Sequence, residues 1–204
     1  MQPLHRPTVD TYGLLEQQVD FSAGQSFILD SGCGTGKSTQ RLARMFPHHL
    51  VIGVDRSSSR LAKSGVQTSF SRTENCILLR AELATFWRIM LKSGLSPERH
   101  FLFYPNPWPK PGHLSRRWHG HPVFPELLTL GGEIEMRCNW NVYATEFAKA
   151  AVIATGADIS VKMIEKEYGI SPFEQKYLER GQPLFSVLIP AQHTQVFRLS
   201  RLDQ

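Results

Sequence analysis

The sequence predicts an α/β protein with a doubly wound, mostly parallel sheet flanked by helices, and three observations predict it. Short apolar runs alternate with longer segments of helical periodicity, which is the pattern of parallel βαβ units. A glycine-rich segment, Ser31–Lys37, joins the first apolar run to the first helical segment. Acidic residues close or directly follow the first three runs, and open α/β sheets bind their ligands at that edge.

Apolar runs of strand length and longer periodic segments divide most of the chain. The predicted strands are Ser26–Asp30, Leu50–Asp55, Cys76–Arg80, His100–Tyr104, Glu133–Arg137, Asp158–Ile164 and Leu184–Ile189. The predicted helices are Thr39–Phe46, Leu83–Lys92, Val123–Thr129 and Tyr143–Ala154, with another after a cap at Ser57–Ser59. Residues 1–24 are predicted to be an extended lead-in or weak helix, and residues 190–204 to be a tail. Without repeats or linkers, residues 1–204 are predicted to form a single domain.

Composition excludes several classes of protein. No apolar run is long enough to span a bilayer, and the N-terminus lacks the hydrophobic core of a signal peptide. Three cysteines without metal-type spacing favour a reduced, cytoplasmic setting. The net charge of +5 is modest, but residues 99–125 contain four basic residues and no acid. That segment predicts either a polyanionic partner or a solvated basic loop.

The glycine-rich loop is predicted to bind the methyl donor S-adenosylmethionine (SAM). Glycines between a strand and a helix allow a ligand to approach the backbone closely. Asp55, about 20 residues beyond the loop, stands where an acid binds ribose hydroxyls in such folds. Asp30 would meet the methionine end, and Glu82 would accept from the adenine amine. The predicted cofactor residues are Asp30, Gly32, Gly34, Gly36, Asp55, Glu82 and Asn106.

Three other interpretations of the loop stay open. A dinucleotide fold would need G-x-G-x-x-G, whereas the loop reads G-x-G-x-G. A phosphate-binding P-loop is suggested by Gly36-Lys37-Ser38, although Ser31 occupies the position of its first glycine. A purely structural turn is the third.

A second candidate site follows the fourth predicted strand, in the proline loop Tyr104–Arg117. Four prolines between Pro105 and Pro111 exclude a helix or a central strand. N-P-W-P at Asn106–Pro109 partly resembles the D/N-P-P-F/Y/W motif of amino-methyltransferases, in which the polar side chain accepts from the target amine. A loop of this kind beyond a strand end is a predicted acceptor site.

The same loop is more similar to that of the bacterial tRNA (guanine-N7)-methyltransferase family, F/Y-x-D-P-W-P-K-x-R-H-x-K-R-R. The residues that match in register are Tyr104, Pro107, Trp108, Pro109, Lys110, His113, Arg116 and Arg117. The family's later T-x-F/Y-E-x-K and G-x-P motifs align with Ser171–Lys176 and Gly181–Pro183. The resemblance covers about residues 26–189 and implies a divergent member with a Rossmann-like SAM-methyltransferase sheet.

The resemblance implies methyl transfer from SAM to guanine N7 of tRNA. No metal is expected, because no cysteine or acid lies near His113, His119 and His121 in the sequence, and the protein is expected to be a monomer or homodimer. Guanine N7 carries a lone pair and no proton, so catalysis would consist of alignment and electrostatic stabilisation. Asn106, at the family's aspartate position, is the implied catalytic residue. The implied substrate-binding residues are Trp108, Lys110, His113, Arg116, Arg117, Asn139, Ser171, Phe173, Glu174 and Lys176.

Two family aspartates are asparagines in this chain, Asn106 and Asn139. An amide keeps an acceptor oxygen but loses the charge, so both changes together would cost about 1–3 kcal/mol, roughly ten- to a hundredfold in rate. Two alternatives therefore stay open beside the tRNA enzyme. One is a non-catalytic SAM- or RNA-binding relative, and the other is a methyltransferase of the same fold acting on a small molecule or exocyclic amine.

Overall fold

A computed structural model describes residues 3–165 and 167–202 of the chain. The chain divides into two compact units, Met1–Glu98 and Arg99–Gln204, and each contains four strands with flanking helices. The predicted α/β fold class is thereby confirmed. That residues 1–204 act as one domain stays a prediction. No helix within the described ranges has both the length and the apolar composition needed to cross a membrane.

The first unit is a four-stranded sheet with helices. Its elements are α1 (Arg6–Gln18), β1 (Phe27–Ser31), α2 (Lys37–Met45), β2 (Leu50–Asp55), α3 (Ser58–Leu61), β3 (Phe70–Thr73), β4 (Cys76–Arg80) and α4 (Leu83–Lys92). The strand order is β3-β4-β2-β1, with β1, β2 and β4 parallel and β3 antiparallel to β4. Every residue of β1 and β2 is buried, as expected for parallel strands covered on both faces.

Parallel register brings the predicted cofactor acids to one edge of this sheet. Asp30 is paired with Gly53, and Asp55 is paired with Arg80 at the end of β4. Gly53 allows α2 to approach, because a Cβ there would collide with the Thr39 side chain. The carboxyl ends of β1, β2 and β4 therefore meet beneath the N-terminus of α2.

The second unit is also a four-stranded sheet with helices. Its elements are β5 (Arg99–Phe103), α5 (Phe124–Leu130), β6 (Glu133–Cys138), α6 (Asn141–Thr155), β7 (Val161–Met163), α7 (Pro172–Glu179), β8 (Phe185–Ile189) and α8 (Ala191–Leu202). The strand order is β5-β6-β8-β7. Strands β5 and β6 are parallel, whereas β8 is antiparallel to both β6 and β7. The proline loop continues from β5 into two short 3-10 turns, Pro111–Arg116 and Trp118–Gly120.

Four elements depart from the sequence prediction, and a fifth, the helix in the lead-in, matches one of its two predicted alternatives. The lead-in is a 13-residue helix, α1, whose buried face includes Thr8 and Thr11, so apolar periodicity does not reveal it. Strand β3 is not predicted by the sequence, since its four residues, F-S-R-T, are mostly polar. Helix α7 lies in a segment where no helix or strand is predicted, and α8 lies in the predicted tail. The predicted strand Asp158–Ile164 shortens to Val161–Met163.

Candidate functional site

The glycine-rich loop turns sharply between β1 and α2. Gly32, Gly34 and Gly36 all have positive φ, between 61° and 83°, which residues with a Cβ rarely adopt. A Cβ on Gly36 would also lie 2.7 Å from Leu78, whereas no atom of the residues that the structure describes lies within 4 Å of a Cβ built on Gly32. The loop therefore presents an open face at Gly32 and a closely packed one at Gly36.

The backbone N–H groups of this loop are used within the protein. Gly32 and Cys33 donate to the Val54 carbonyl at 2.8 and 3.1 Å, and Gly36 donates to the Cys33 carbonyl at 3.0 Å. Gly34 donates to Asp55 Oδ2 at 3.0 Å. A P-loop directs such N–H groups at phosphate oxygens. The geometry here disfavours the P-loop interpretation, since Gly32 and Gly34 bond the loop to β2 and Gly36 bonds within the loop.

Asp55 holds three neighbouring groups at once. Besides Gly34, its carboxylate accepts from the Ser57 backbone N–H at 2.8 Å and from the Arg60 guanidinium at 3.1 Å. The Asp55 side chain is only 3% exposed, whereas that of Arg60 is 44% exposed. Asp55 thus stands at the predicted position, with Arg60, which the sequence did not single out, lying over it.

Asp30 lies fully buried beneath the loop. Its Oδ2 accepts from the hydroxyls of Ser38 and Thr39, at 2.6 and 2.7 Å, which ties β1 to α2. Its Oδ1 is buried and has no hydrogen-bond partner among the described residues. Burial raises the pKa of Asp30 to about 6, although the two hydroxyls oppose that rise. A buried acceptor with unused capacity is suited to a donor group from a ligand or a bridging water.

Glu82 caps α4. Its carboxylate accepts from the backbone N–H groups of Ala84 and Thr85, at 2.9 and 2.7 Å, and its own N–H donates to Thr8 of α1. This is the usual role of an acid at a helix N-terminus. Contact between Glu82 and adenine stays a prediction. Each carboxylate oxygen retains one acceptor position beside the capping bond.

In the second unit, Arg117 fixes the proline loop to α6. Its Nε and Nη2 donate to the Trp108 carbonyl at 3.2 and 3.0 Å, and its Nη1 pairs with Glu146. Its guanidinium also lies 4.8 Å from the centre of the Trp140 ring. Arg117 is buried, so in this conformation it binds the protein rather than a phosphate.

The tip of the proline loop is held in a strained but organised shape. Tyr104 and Trp108 have φ of 53° and 45°, which are uncommon for residues with large side chains. The Trp108 ring is half-buried, with Arg116 4.8 Å above it and His113 5.5 Å away at its edge. Asn106, which lies between the two strained residues, is exposed.

Helix α7 is attached to β6 by a buried ion pair. Glu174 is fully buried, and its two oxygens lie 3.1 and 3.3 Å from Nη1 of Arg137. Arg137 also donates to Glu135 at 2.6 Å. Ser171 caps the same helix by accepting from the Glu174 N–H at 3.1 Å. The sequence does not predict this pair, because the alternation of Glu133–Arg137 places Arg137 on the polar face of the strand.

The predicted acceptor-binding residues therefore fall into two groups. Arg117, Ser171 and Glu174 are buried and bind protein atoms, and we reassign them from direct substrate contact to the frame of the site. The exposed members are Asn106, Lys110, Arg116, Phe173 and Lys176, and the half-buried ones are Trp108, His113 and Asn139. Asn139 donates to the Gln182 side chain at 3.1 Å, which brings two of the motif segments together.

His119, His121 and Cys138 of the second unit contact protein atoms. The Nε2 atom of His119 lies 3.2 Å from Oε2 of Glu146, and the centre of its ring lies 5.1 Å from the centre of the Tyr143 ring. The Nδ1 atom of His121 accepts a hydrogen bond from the Val123 N–H. Burial raises the pKa of the Cys138 thiol to about 11, so it is not a thiolate at neutral pH. Over residues 3–165 and 167–202, no cluster of three or more His, Cys, Asp or Glu side chains could hold a metal ion.

Comparisons with known proteins identify a methyltransferase family. Residues 24–187 match the methyltransferase family model Methyltransf_4. A tRNA (guanine-N(7)-)-methyltransferase from Neisseria meningitidis serogroup C is 26% identical over 171 residues, which cover 81% of this chain and 70% of that protein. A tRNA (guanine-N(7)-)-methyltransferase from Nitrosomonas europaea is 23% identical over 191 residues, which cover 86% of this chain and 82% of that protein.

A solved structure shares the fold. An antibiotic-related methyltransferase superposes with a TM-score of 0.56 at 16% identity and covers 93% of this chain and 96% of its own. At that identity the likeness concerns the fold alone. The family match spans most of the chain, includes both units and contains the glycine-rich and proline loops. The chain belongs to the methyltransferase family described by Methyltransf_4.

Proposed function

We propose that this protein transfers a methyl group from SAM to N7 of a guanine in tRNA. The observation that carries the proposal is the proline loop. Its residues match the motif of the tRNA (guanine-N7)-methyltransferases position by position. Its exposed residues Asn106, Lys110 and Arg116 are those that an RNA acceptor would contact. The similarity to tRNA (guanine-N(7)-)-methyltransferases over 81–86% of the chain supports the same substrate.

The first unit supplies groups that fit SAM. When bound, SAM would supply an electrophilic methyl group on a positively charged sulfur. Asp55 would bind the ribose hydroxyls, since its carboxylate stands at the end of β2 beside the glycine-rich loop. The unpaired Oδ1 of Asp30 would accept from the amino group of the methionine end, directly or through a water.

The acceptor side requires little acid–base chemistry. Guanine N7 attacks through its lone pair, so no proton has to be removed, and the protein's contribution is alignment. Positive charge develops on the guanine, and an acceptor oxygen such as that of Asn106 would stabilise the guanine N–H groups that share this charge. Lys110 and Arg116 would hold the RNA through its phosphates.

The proposal is tested by incubating the protein with labelled SAM and bulk tRNA, followed by digestion to nucleosides. We expect label in 7-methylguanosine. Label in another nucleoside, such as a base methylated on an exocyclic amine, would retain the class of enzyme and reject the N7 assignment. Measurable SAM binding without any transfer would favour the non-catalytic alternative.

Asn106→Asp is expected to increase the rate of methyl transfer about tenfold. A hydrogen bond to a carboxylate is worth about 1.5–3 kcal/mol against about 0.5–1.5 kcal/mol for a neutral acceptor, and about 1.4 kcal/mol corresponds to tenfold. The measurement is kcat/KM for tRNA at saturating SAM. Asn141→Asp, the same change at an exposed residue of α6, is the matched control and should leave the rate unchanged. Equal rates for the Asn106→Asp variant and the unsubstituted protein would exclude Asn106 from the reacting site.

A further inference from the structure

A groove lined mostly by polar residues, together with Ala62 and Val66, lies on the first unit beside α3 and the β3–β4 pair. Its volume is about 430 Å³, within the range of sites that bind small molecules or parts of larger ones. Its polar lining consists of Ser58, Ser59, Gln67, Thr68, Ser69 and Arg80. Residues with hydroxyl, amide and guanidinium side chains therefore line one open cavity.

The groove is built by local hydrogen bonds. The Arg80 backbone N–H donates to the Ser69 carbonyl at 2.8 Å, and the Thr68 hydroxyl donates to the Phe70 carbonyl at 2.9 Å. The Arg80 guanidinium also donates through Nε to the Arg56 carbonyl, at 3.5 Å. A guanidinium has five N–H donors, so the Nη groups of Arg80 keep donors for a ligand.

The surroundings of the groove are basic. Between Arg56 and Ala81 the chain has five basic residues and one acid, Glu74, and none of the residues lining the groove is acidic. Arg56, Lys63 and Arg80 are all exposed. This concentration of positive charge lies outside the proline loop, and neither the cofactor nor the acceptor assignment uses it.

Helix α3 separates the groove from the cofactor loop. Arg60 extends from α3 to Asp55 and the glycine-rich loop, whereas Ser58, Ser59 and Ala62 line the groove. None of the predicted cofactor residues lines it. The groove therefore adjoins the predicted cofactor site, since Arg80 is paired with Asp55, but shares none of the predicted cofactor residues.

We propose that this groove binds the sugar-phosphate backbone of the RNA substrate. Arginine side chains together with serine, threonine and glutamine side chains form the usual set of contacts to phosphate and sugar oxygens. They carry no base specificity, so the groove would fix the position of the RNA and leave the choice of base to the proline loop. This inference rests on the proposed function, because it takes the acceptor to be an RNA.

The test is tRNA binding by fluorescence anisotropy over a salt series. Arg80→Gln is expected to weaken binding about tenfold at low salt. It should also reduce the slope of log K against log salt by about 0.7–0.9, which is the share of the slope that a single phosphate contributes. Lys92→Gln removes the same charge from an exposed lysine at the end of α4 and is the matched control. It should leave the slope unchanged.

The outcomes separate this inference from the proposed function. If Arg80→Gln and the unsubstituted protein have the same tRNA affinity and the same salt slope, the proposal that the groove binds RNA is wrong. Weaker SAM binding in Arg80→Gln, with RNA binding intact, would also overturn it, because the groove would then serve the cofactor. Failure of the proposed function would instead appear as intact, Arg80-dependent RNA binding without label in 7-methylguanosine.

Discussion

Glu174→Ala is expected to lower the free energy of unfolding by about 3–5 kcal/mol. The substitution removes a buried carboxylate and leaves the Arg137 guanidinium, which is itself buried, with Glu135 as its remaining acid. Removing one partner of a buried ion pair lowers the free energy of unfolding because the remaining charge stays buried without a compensating charge. Domains have about 5–15 kcal/mol of stability in total, so the variant would unfold at much lower denaturant concentration. Urea titration followed by circular dichroism measures the change.

Two further variants make this result interpretable. Glu133→Ala breaks the partly exposed pair between Arg99 and Glu133, 3.0 Å apart on neighbouring strands of the same unit, and should cost at most about 1 kcal/mol. Glu174→Gln keeps an acceptor oxygen for Arg137, so its loss in free energy of unfolding should lie between those of Glu174→Ala and Glu133→Ala. A loss for Glu174→Ala no greater than that for Glu133→Ala would show that the buried pair does not hold α7 against β6.

Much of the fold could be predicted because buried strands are recognisable in the sequence as short apolar runs. The runs that form β1, β2 and β4 are apolar and end near acids, so both the strands and the meeting of Asp30 and Asp55 at one edge followed from the alternation of elements. Strand β3 has no such signal, since it lies at the edge of its sheet and only one side of it packs against another strand.

The roles of individual site residues were harder to predict, and two neighbours illustrate why. Arg116 and Arg117 have the same side chain and adjoining positions in one motif. Arg116 is exposed above Trp108, whereas Arg117 is buried between Trp108, Glu146 and Trp140. Their difference comes from partners on and just before α6, far along the chain, which sequence periodicity does not encode.

Asp55→Ala is expected to weaken SAM binding by a factor of about one hundred or more. Two ribose hydroxyls would each donate to this carboxylate, and hydrogen bonds to charged groups contribute about 1.5–3 kcal/mol each. The substitution also removes the acceptor that holds the Gly34 N–H in the glycine-rich loop. Isothermal titration calorimetry with SAM measures the change. Unaltered SAM affinity would refute the assignment of Asp55 to the ribose.

Arg60→Ala is expected to have the opposite effect on SAM affinity and to strengthen binding. A carboxylate offers about four acceptor positions, and that of Asp55 already accepts from Gly34, Ser57 and Arg60. Two ribose hydroxyls need two positions, so Arg60 has to leave before both can bind. Because the pair is partly exposed, its loss should tighten SAM binding only about two- to fivefold. Arg56→Ala, which removes a neighbouring exposed charge without touching Asp55, should leave the affinity unchanged. Weaker binding in Arg60→Ala would mean that Arg60 contacts the ligand instead of competing with it.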